Sequence, residues 1–171
     1  DRISYVKDIG VVFGQRSQLW WDVPVIDSFE LLRDIYSISQ AMYNNNLEEL
    51  TELLNLSELL KTPARQLSLG QRMRCEIAAS LLHSPSILFL DAVSKLAVRD
   101  FIKQLNQDHK TTVILTTHDM QDIEALTNRI LLIGNGSILM DGSPEELKQD
   151  AASMDEAVVK LYRSFDEKEG R

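Results

Sequence analysis

The chain has 171 residues, of which 44% are hydrophobic, and its formal net charge is −8 at pH 7. This length and apolar content suffice for one compact domain, or for a domain with an appendage. The acidic balance argues against a protein that binds nucleic acid, because contacts to phosphates require clustered Lys and Arg. The only cysteine is Cys75, which excludes an internal disulfide. The longest apolar runs are far too short to span a bilayer, so any membrane role must depend on a partner.

The first half of the chain is predicted to be a strand followed by helices. Residues 9–13 have the branched, apolar character of a buried strand. Apolar residues then recur at helical spacing, with a break at Asn44-Asn45-Asn46. The predicted helices are 24–42, 47–54 and one that begins around Ser68. Residues 24–83 are therefore expected to form a helical insert.

In the second half, strand and helix patterns alternate. An apolar strand is predicted at 87–90, a helix at 98–105 and a further strand at 112–115. This alternation predicts a parallel sheet with crossover helices.

Three patterns near the end of the chain predict a hairpin and two helices. Strand-like residues flank Asn135-Gly136, the pair most favoured in a tight turn, and we expect this hairpin to close the sheet. The run Ser143-Pro144-Glu145-Glu146 combines a capping hydroxyl, a first-turn proline and a reciprocal Glu, which predicts a helix start. A last helix is predicted from Met154 to Phe165.

The motif Leu67-Ser68-Leu69-Gly70-Gln71 sets a Ser at a predicted helix start. Such a helix tip presents unpaired amides and the positive end of the helix dipole to an anion. A plain helix cap is the alternative. Because the motif follows a helical insert and precedes an apolar strand ending in Asp, it resembles the signature motif of ATP-binding cassette (ABC) ATPases, usually Leu-Ser-Gly-Gly-Gln, with Leu69 as the departure. The resemblance implies that Ser68, Leu69, Gly70 and Gln71 contact the γ-phosphate of ATP held by the opposite subunit.

The run Ile87-Leu88-Phe89-Leu90-Asp91 resembles the second Walker motif, in which the Asp orders Mg²⁺. A simple turn residue is the plain alternative. In the family a catalytic Glu follows this Asp, whereas here Ala92 follows. Asp91 is therefore either the metal-ordering Asp or the Asp of the D-loop that faces the partner subunit.

The sequence Thr116-Thr117-His118-Asp119 resembles the family's switch region, which implies that His118 senses the γ-phosphate. The other two histidines, His83 and His109, have no such context and are expected to face solvent.

Gln15 follows the first predicted strand and resembles the Q-loop glutamine, whose amide reaches the Mg²⁺ shell; Gln18 is a nearby competitor. For the adjacent Trp20 and Trp21 two arrangements are open. Either one ring packs inside while the other lies at a partner surface, or both are half-buried.

The sequence contains no Gly-x-x-x-x-Gly-Lys-Ser/Thr run, so the phosphate cradle and its Lys are missing. Losing a general base costs about 10² to 10⁴ in rate, whereas losing the cradle removes most phosphate binding before any rate matters. We therefore expect no appreciable ATP turnover by this polypeptide alone. Since the chain starts without Met and directly ahead of a strand, we interpret it as a fragment, truncated at its N-terminus.

Taken with the resemblance, the patterns predict an α/β fold, an incomplete P-loop NTPase-like parallel sheet core with a helical ABC subdomain. The expected parts are a partial core with the Q-loop at 1–23, the helical subdomain at 24–83, the core with Asp91 and His118 at 84–150, and a C-terminal helix and tail at 151–171.

The function that the resemblance implies is that of an ATP-binding subunit of an ABC transporter, which couples ATP hydrolysis to transport, with export the expected direction. Its expected cofactors are ATP and Mg²⁺. The expected partners are membrane-spanning subunits and a second nucleotide-binding subunit at the cytoplasmic face of the membrane, with no nucleic acid. One alternative is a non-catalytic module that lends its signature motif to an intact partner. A chromosome-maintenance ATPase is disfavoured, because long coiled coils would then separate Gln15 from Ser68.

Overall fold

The computed structural model describes residues 2–14, 16–91, 101, 102, 105, 111–134, 136–148 and 151–169. The chain divides into two compact units, Asp1–Thr116 and Thr117–Arg171. The subdomain boundaries expected near residues 23, 83 and 150 stay predictions.

The first unit contains a short parallel sheet and most of the helices. Its elements are α1 (Arg2–Lys7), β1 (Ile9–Phe13), α2 (Val25–Tyr36), α3 (Gln40–Leu53), a 3₁₀ turn (Ala64–Gln66), α4 (Leu69–Leu81), β2 (Ile87–Asp91) and β3 (Thr112–Thr116). The three strands confirm the predicted ones. Of the helix predicted at 98–105, only Phe101, Ile102 and Leu105 are described, and they are helical and buried; the rest lies outside the described residues.

The three strands form one parallel sheet in the order β1-β2-β3, with Val11 opposite Phe89 and Phe89 opposite Ile114. Its buried positions alternate along β1 and β2, where Val12, Leu88 and Leu90 are closed off from solvent. A parallel sheet with helices packed on it confirms the predicted α/β class.

Helix α4 is the central helix of the first unit, since it packs against α2, α3 and β1. Gly10 of β1 allows the approach, because a Cβ at this residue would come within 2.5 Å of the carbonyl oxygen of Ser80. Glu76 lies one turn before Ser80 in α4. Its carboxylate accepts a hydrogen bond over 3.0 Å from the amide of Gln18, a residue that follows the end of β1. The helix therefore runs antiparallel to β1, and its N-terminus points to the same side as the carboxyl ends of the strands.

The helical insert breaks at a different place from the predicted one. We expected a break at Asn44-Asn45-Asn46, and this was wrong, since these residues lie inside α3. The chain breaks instead at Ser37, which is left-handed with a φ of 55°, and Ser39 then caps α3. Asparagine is a poor helix former, but the side chain of Asn46 donates to the Leu82 carbonyl over 2.8 Å, and this contact offsets the low propensity.

The second unit consists of a hairpin and three helices. Its elements are α5 (Met120–Leu126), β4 (Ile130–Gly134), β5 (Ser137–Gly142), α6 (Pro144–Lys148) and α7 (Met154–Glu169). A small core of Ile130, Leu147, Met154 and Ala157 holds them together. The predicted cap of α6 is confirmed, because the Glu146 amide donates to the Ser143 hydroxyl over 3.1 Å and the Ser143 amide donates to the Glu146 carboxylate over 2.9 Å.

The hairpin itself is confirmed, but its expected place in the sheet is wrong. Among the described strands, β4 and β5 pair antiparallel with each other and form a sheet of their own. The pattern of alternating apolar residues predicts which residues form a strand, but it does not predict which strand is the neighbour.

Candidate functional site

The tip of α4 carries the predicted signature motif. Ser68 is the N-cap and forms a capping box: the Gln71 amide donates to its hydroxyl over 3.3 Å, and its own amide donates to the Gln71 side-chain oxygen over 2.8 Å. This box occupies the amides of Ser68 and Gln71. By helix geometry the amides of the first turn have no intrahelical partner, so those of Leu69 and Gly70 are the ones that face outwards.

Both residues between the cap and Gln71 lie on the surface. The side chain of Leu69 is 54% exposed, and a Cβ added at Gly70 would meet no atom within 4 Å. No part of the described chain therefore requires a glycine at position 70, although glycine costs about 0.5 to 1 kcal/mol relative to alanine within a helix. A ligand that approaches the backbone from outside would give such a glycine a purpose.

Asp91 ends β2 at the edge where the three strands terminate together. Its partners in register are Phe13 on β1 and Thr116 on β3. The Thr116 hydroxyl donates to Oδ1 of Asp91 over 2.6 Å, and the Gly14 amide donates to the Asp91 carbonyl over 2.9 Å. Asp91 is exposed, and the threonine orients Oδ1 of its carboxylate.

The residue predicted to sense phosphate, His118, follows two residues after the end of β3, and its side chain is exposed. A tight turn holds it, since the Asp119 amide donates to the Thr117 hydroxyl over 3.0 Å and the Asp119 carboxylate accepts from the Gln121 amide over 2.9 Å. His118 belongs to the second unit, whereas Ser68 and Asp91 belong to the first. The expected convergence of the three residues stays a prediction.

Within the first unit, Ser68 and Asp91 lie on the same side of the sheet, at the carboxyl ends of its strands. Eight residues of helix separate Ser68 from Glu76, which is about 12 Å at 1.5 Å per residue. The signature tip therefore projects beyond the strand ends.

Gln15, predicted to reach Mg²⁺, lies outside the described residues. Its competitor Gln18 is engaged elsewhere, because its side-chain amide donates to the Val11 carbonyl over 2.7 Å.

The two tryptophans that follow both point outwards. Trp20 is 59% exposed and Trp21 is 51% exposed. Of the two open arrangements, the one with a ring packed inside was wrong, and the one with both rings half-buried agrees with the structure. The backbone of Trp20 is held by the Ser28 hydroxyl, which accepts from the Trp20 amide over 3.0 Å. The ring of Trp21 contacts a side chain, since the guanidinium of Arg72 lies 5.6 Å from the ring centroid.

His83 was expected to face solvent, and this was wrong. Its ring stacks on Tyr36 with centroids 4.0 Å apart, and its Nε2 lies 3.1 Å from the Ile9 carbonyl. Burial lowers the pKa of His83. His109 lies outside the described residues.

Sequence reasoning missed Glu76, which is buried in the middle of α4. Its carboxylate accepts hydrogen bonds from the Ser17 hydroxyl and from the Gln18 amide. Burial raises the pKa of Glu76, and these hydrogen bonds oppose the shift. The signal was present in the sequence, because Glu76 is the only charged residue in the apolar run 75–82.

Comparison with known proteins gives a consistent picture. The sequence model of the family described as ABC transporter matches residues 2–94. Among curated proteins, the chain is 28% identical over 165 residues to the probable multidrug ABC transporter ATP-binding protein YbhF of Escherichia coli, with 89% of this chain and 28% of the relative covered. It is 25% identical over 154 residues to the ABC transporter ATP-binding protein NatA of Bacillus subtilis, with 86% of this chain and 62% of the relative covered.

Solved structures resemble the chain as well. An ATP-binding subunit of an ABC transporter superposes with a TM-score of 0.79 at 20% identity, covering 94% of this chain and 71% of the other. The subunit cbiO1 from Clostridium perfringens, part of the ABC transporter complex cbiONQ, superposes with a TM-score of 0.72 at 21% identity, covering 96% and 68%. These likenesses show that the fold is that of the P-loop NTPases. The chain spans less than two thirds of the length of the curated relatives named above.

Proposed function

Because this chain belongs to the ABC transporter family, among the ATP-binding proteins, we propose that it supplies the signature motif to an ATP site that another polypeptide completes. The observation that supports this most is the tip of α4. There a capped helix start places Gly70 on the surface, and a Cβ added at Gly70 would meet no atom of the described chain within 4 Å. A helix N-terminus with accessible amides favours a phosphate through hydrogen bonds and the helix dipole.

The roles of the individual residues follow from this placement. Ser68, Leu69, Gly70 and Gln71 would contact the γ-phosphate through the amides and hydroxyl of the helix tip. His118, exposed on its turn, would donate to a γ-phosphate and respond to its loss.

A magnesium ion fits this site only together with a nucleotide. No group of three or more His, Cys, Asp or Glu side chains is arranged to hold a metal in the described part of the chain, so a dedicated protein cage is not formed there. Mg²⁺ is commonly held by one or two carboxylates and by substrate phosphates, and the exposed carboxylate of Asp91 is suited to that use. Bound in this way, the ion would neutralise charge on the phosphates. Gln15, which resembles the Q-loop glutamine of the family, is proposed to reach the same Mg²⁺ shell.

Hydrolysis by the isolated chain is not proposed. The sequence lacks the phosphate cradle and has Ala92 where the family carries its catalytic Glu. Ala92 also favours the second candidate function, a non-catalytic module that lends its signature face to an intact partner subunit. If the chain is a catalytic subunit, an ATP site that includes its Asp91 hydrolyses ATP. If the chain is only a module, no such site hydrolyses ATP.

The partners we propose are membrane-spanning transporter subunits and a second nucleotide-binding subunit, at the cytoplasmic face of the membrane. Among the described helices, none combines the length and apolar character needed to cross a membrane. We propose export as the direction; the Escherichia coli relative is named a probable multidrug ABC transporter ATP-binding protein. Methionine import and glucose import proteins are also among the relatives, so ATP-driven uptake into inside-out vesicles is the measurement that decides the direction.

The proposed function is tested on the complex that is isolated through an affinity tag on the full chain. We expect this complex to hydrolyse ATP, and Ser68→Ala to lower the rate at least about tenfold. The matched control is Ser39→Ala, because Ser39 caps α3 with the same hydroxyl-to-amide distance of 3.3 Å. A Ser68→Ala complex that hydrolyses ATP at the parental rate would overturn the proposal. An Asp91→Ala variant separates the candidates. Relative to the parental complex, it lowers the ATPase rate if this chain contributes to a catalytic site, and leaves the rate unchanged if the chain is only a module.

A further inference from the structure

Glu76 is a carboxylate in a place where charges are rarely tolerated. It is 3% exposed, and the residues on either side of it in α4, Cys75 and Ile77, are fully buried. An ionised carboxylate taken out of water is strongly unfavourable unless it is hydrogen-bonded. Its partners therefore indicate what the residue is for.

Both oxygens of Glu76 have a partner in the loop that follows β1. One oxygen accepts from the Ser17 hydroxyl, and the other accepts from the Gln18 amide over 3.0 Å. The Ser17 hydroxyl in turn accepts from the Leu19 amide over 3.1 Å. The carboxylate thus organises three consecutive residues of the loop around itself.

The same loop is fastened to β1 at one end and to α4 at the other. The Gln18 side chain donates to the Val11 carbonyl of β1 over 2.7 Å, and the Trp21 ring lies under the Arg72 guanidinium of α4. Arg72 is also the charged group whose attraction favours the ionised form of Glu76. Without Glu76, the middle of the loop would lose its hydrogen-bonded attachment to the helix.

We propose that Glu76 is a positioning residue that locks residues 17–19 to the flank of α4, so that the loop following Gln15 and the helix bearing the signature motif move together. The claim that the loop and the helix move together rests on the proposed function. The claim that Glu76 holds residues 17–19 to α4 does not. Glu76 lies two turns from Ser68 and contacts no proposed phosphate ligand, so it would act through the loop rather than on the nucleotide.

The attachment is tested by amide hydrogen exchange on the full chain without nucleotide. Losing hydrogen bonds to a charged group corresponds to roughly ten- to a hundredfold in an opening equilibrium, so Glu76→Ala is expected to speed exchange of the Gln18 and Leu19 amides at least about tenfold. Glu76→Gln keeps one accepting oxygen and is expected to restore part of the protection. The control Glu48→Ala removes an exposed glutamate of α3 and is expected to leave these amides unchanged.

A second variant covers the case in which Glu76→Ala fails to fold. Ser17→Ala removes the hydroxyl of an exposed loop residue, and with it the hydrogen bond to Glu76 and the one from the Leu19 amide. It leaves α4 intact, and exchange of the Gln18 and Leu19 amides is expected to become about fivefold faster. Unchanged exchange at Gln18 and Leu19 in the folded variants would overturn the proposal.

The functional part is tested by the ATPase rate of the purified complex. A residue that positions the loop without touching nucleotide is expected to lower kcat about fivefold or more when changed to Ala, with KM for ATP within about twofold of the parent and partial rescue by Glu76→Gln. Faster exchange with unchanged kcat would reduce Glu76 to a purely structural role and contradict the inference. Failure of Ser68→Ala to affect the same complex would instead identify the proposed function as the part that is wrong.

Discussion

Helices α3 and α4 begin with the same chemistry and differ in what surrounds it. Each starts at a serine whose hydroxyl accepts from the amide three residues on, at 3.3 Å in both cases. Two residues after the cap, α3 has Ala41 and α4 has Gly70. α4 packs against the parallel sheet, while α3 packs against α4. A serine cap alone therefore does not mark a site. The glycine, the outward amides and the placement at the strand ends distinguish the tip of α4.

The largest expected effect is on stability, and it compares a buried residue of α4 with an exposed residue of α3. Ile77, nine residues after the cap of α4, is fully buried, whereas Glu48, nine residues after the cap of α3, is exposed. Ile77→Ala should destabilise the chain by about 2 to 5 kcal/mol through lost burial and a cavity. Glu48→Ala should change the free energy of unfolding by less than about 0.5 kcal/mol. Urea denaturation measures both, and similar losses would contradict the central place given to α4.

The next effect compares the caps themselves. Ser68→Ala and Ser39→Ala should each lower the free energy of unfolding by about 1 kcal/mol, because each removes one capping hydrogen bond. The two variants should therefore match in stability while differing in the ATPase rate of the complex. If Ser68→Ala were several kcal/mol more destabilising, a loss of activity could be assigned to unfolding, and the comparison would break down.

A reciprocal exchange at the second helical residue gives a smaller effect of opposite signs. Gly70→Ala should stabilise the chain by about 0.5 to 1 kcal/mol, since alanine is the better helix former and its Cβ has open space. Ala41→Gly should destabilise it by a similar amount. Only Gly70→Ala should lower the ATPase rate of the complex, because its methyl group would stand where a phosphate approaches. A Gly70→Ala variant with gained stability and full activity would show that the glycine has no role in binding.

The smallest effect concerns pH and contrasts Glu76 with His83. Burial raises the pKa of Glu76 from its ordinary value of 4.5, so the folded state binds a proton before the unfolded state does. Its contribution to stability therefore rises as pH falls from neutral towards 4.5 and is lost again as pH increases. Burial lowers the pKa of His83 below 6.5, so its contribution is present above 6.5 and is lost as pH falls through its folded-state pKa.

These opposing trends are separable by substitution. Glu76→Gln should remove the gain on acidification, so the variant should lose stability relative to the parent between pH 7 and about 4.5. His83→Gln should remove a loss, so this variant should gain stability relative to the parent as pH falls below 6.5. Thermal denaturation followed at stepped pH measures both differences, and an unchanged pH profile in Glu76→Gln would show that Glu76 keeps its ordinary pKa.

The strands and the cap of α6 could be predicted from the sequence, because both depend on local patterns. Branched apolar runs predicted β1, β2 and β3, and the spacing from Ser143 to Glu146 predicted the start of α6. The break in the helical insert was misplaced because three consecutive asparagines are poor helix formers. The contact that offsets this for Asn46 comes from Leu82, a residue 36 positions away.

The candidate site was predicted in part for the same reason. Ser68 and its helix start are local, and the motif order pointed to Asp91 and His118. The hydrogen bond from Thr116 to Asp91 depends on the register of two strands, which no local pattern encodes. The attachment of Glu76 to Ser17 crosses 59 positions of sequence. A lone charge in an apolar helix signals that a partner exists but not which residue it is.

The central claim is that residue 68 lies against the γ-phosphate of ATP held mainly by another polypeptide, and affinity labelling tests it most directly. Ser68→Cys introduces an accessible thiol into a chain whose only cysteine, Cys75, is buried. An ATP analogue with a thiol-reactive group on its γ-phosphate should label position 68 of this chain in the purified complex, and should label neither the isolated chain nor a Ser39→Cys control. Equal labelling of both variants in the complex, or efficient labelling of the isolated Ser68→Cys chain, would contradict the account.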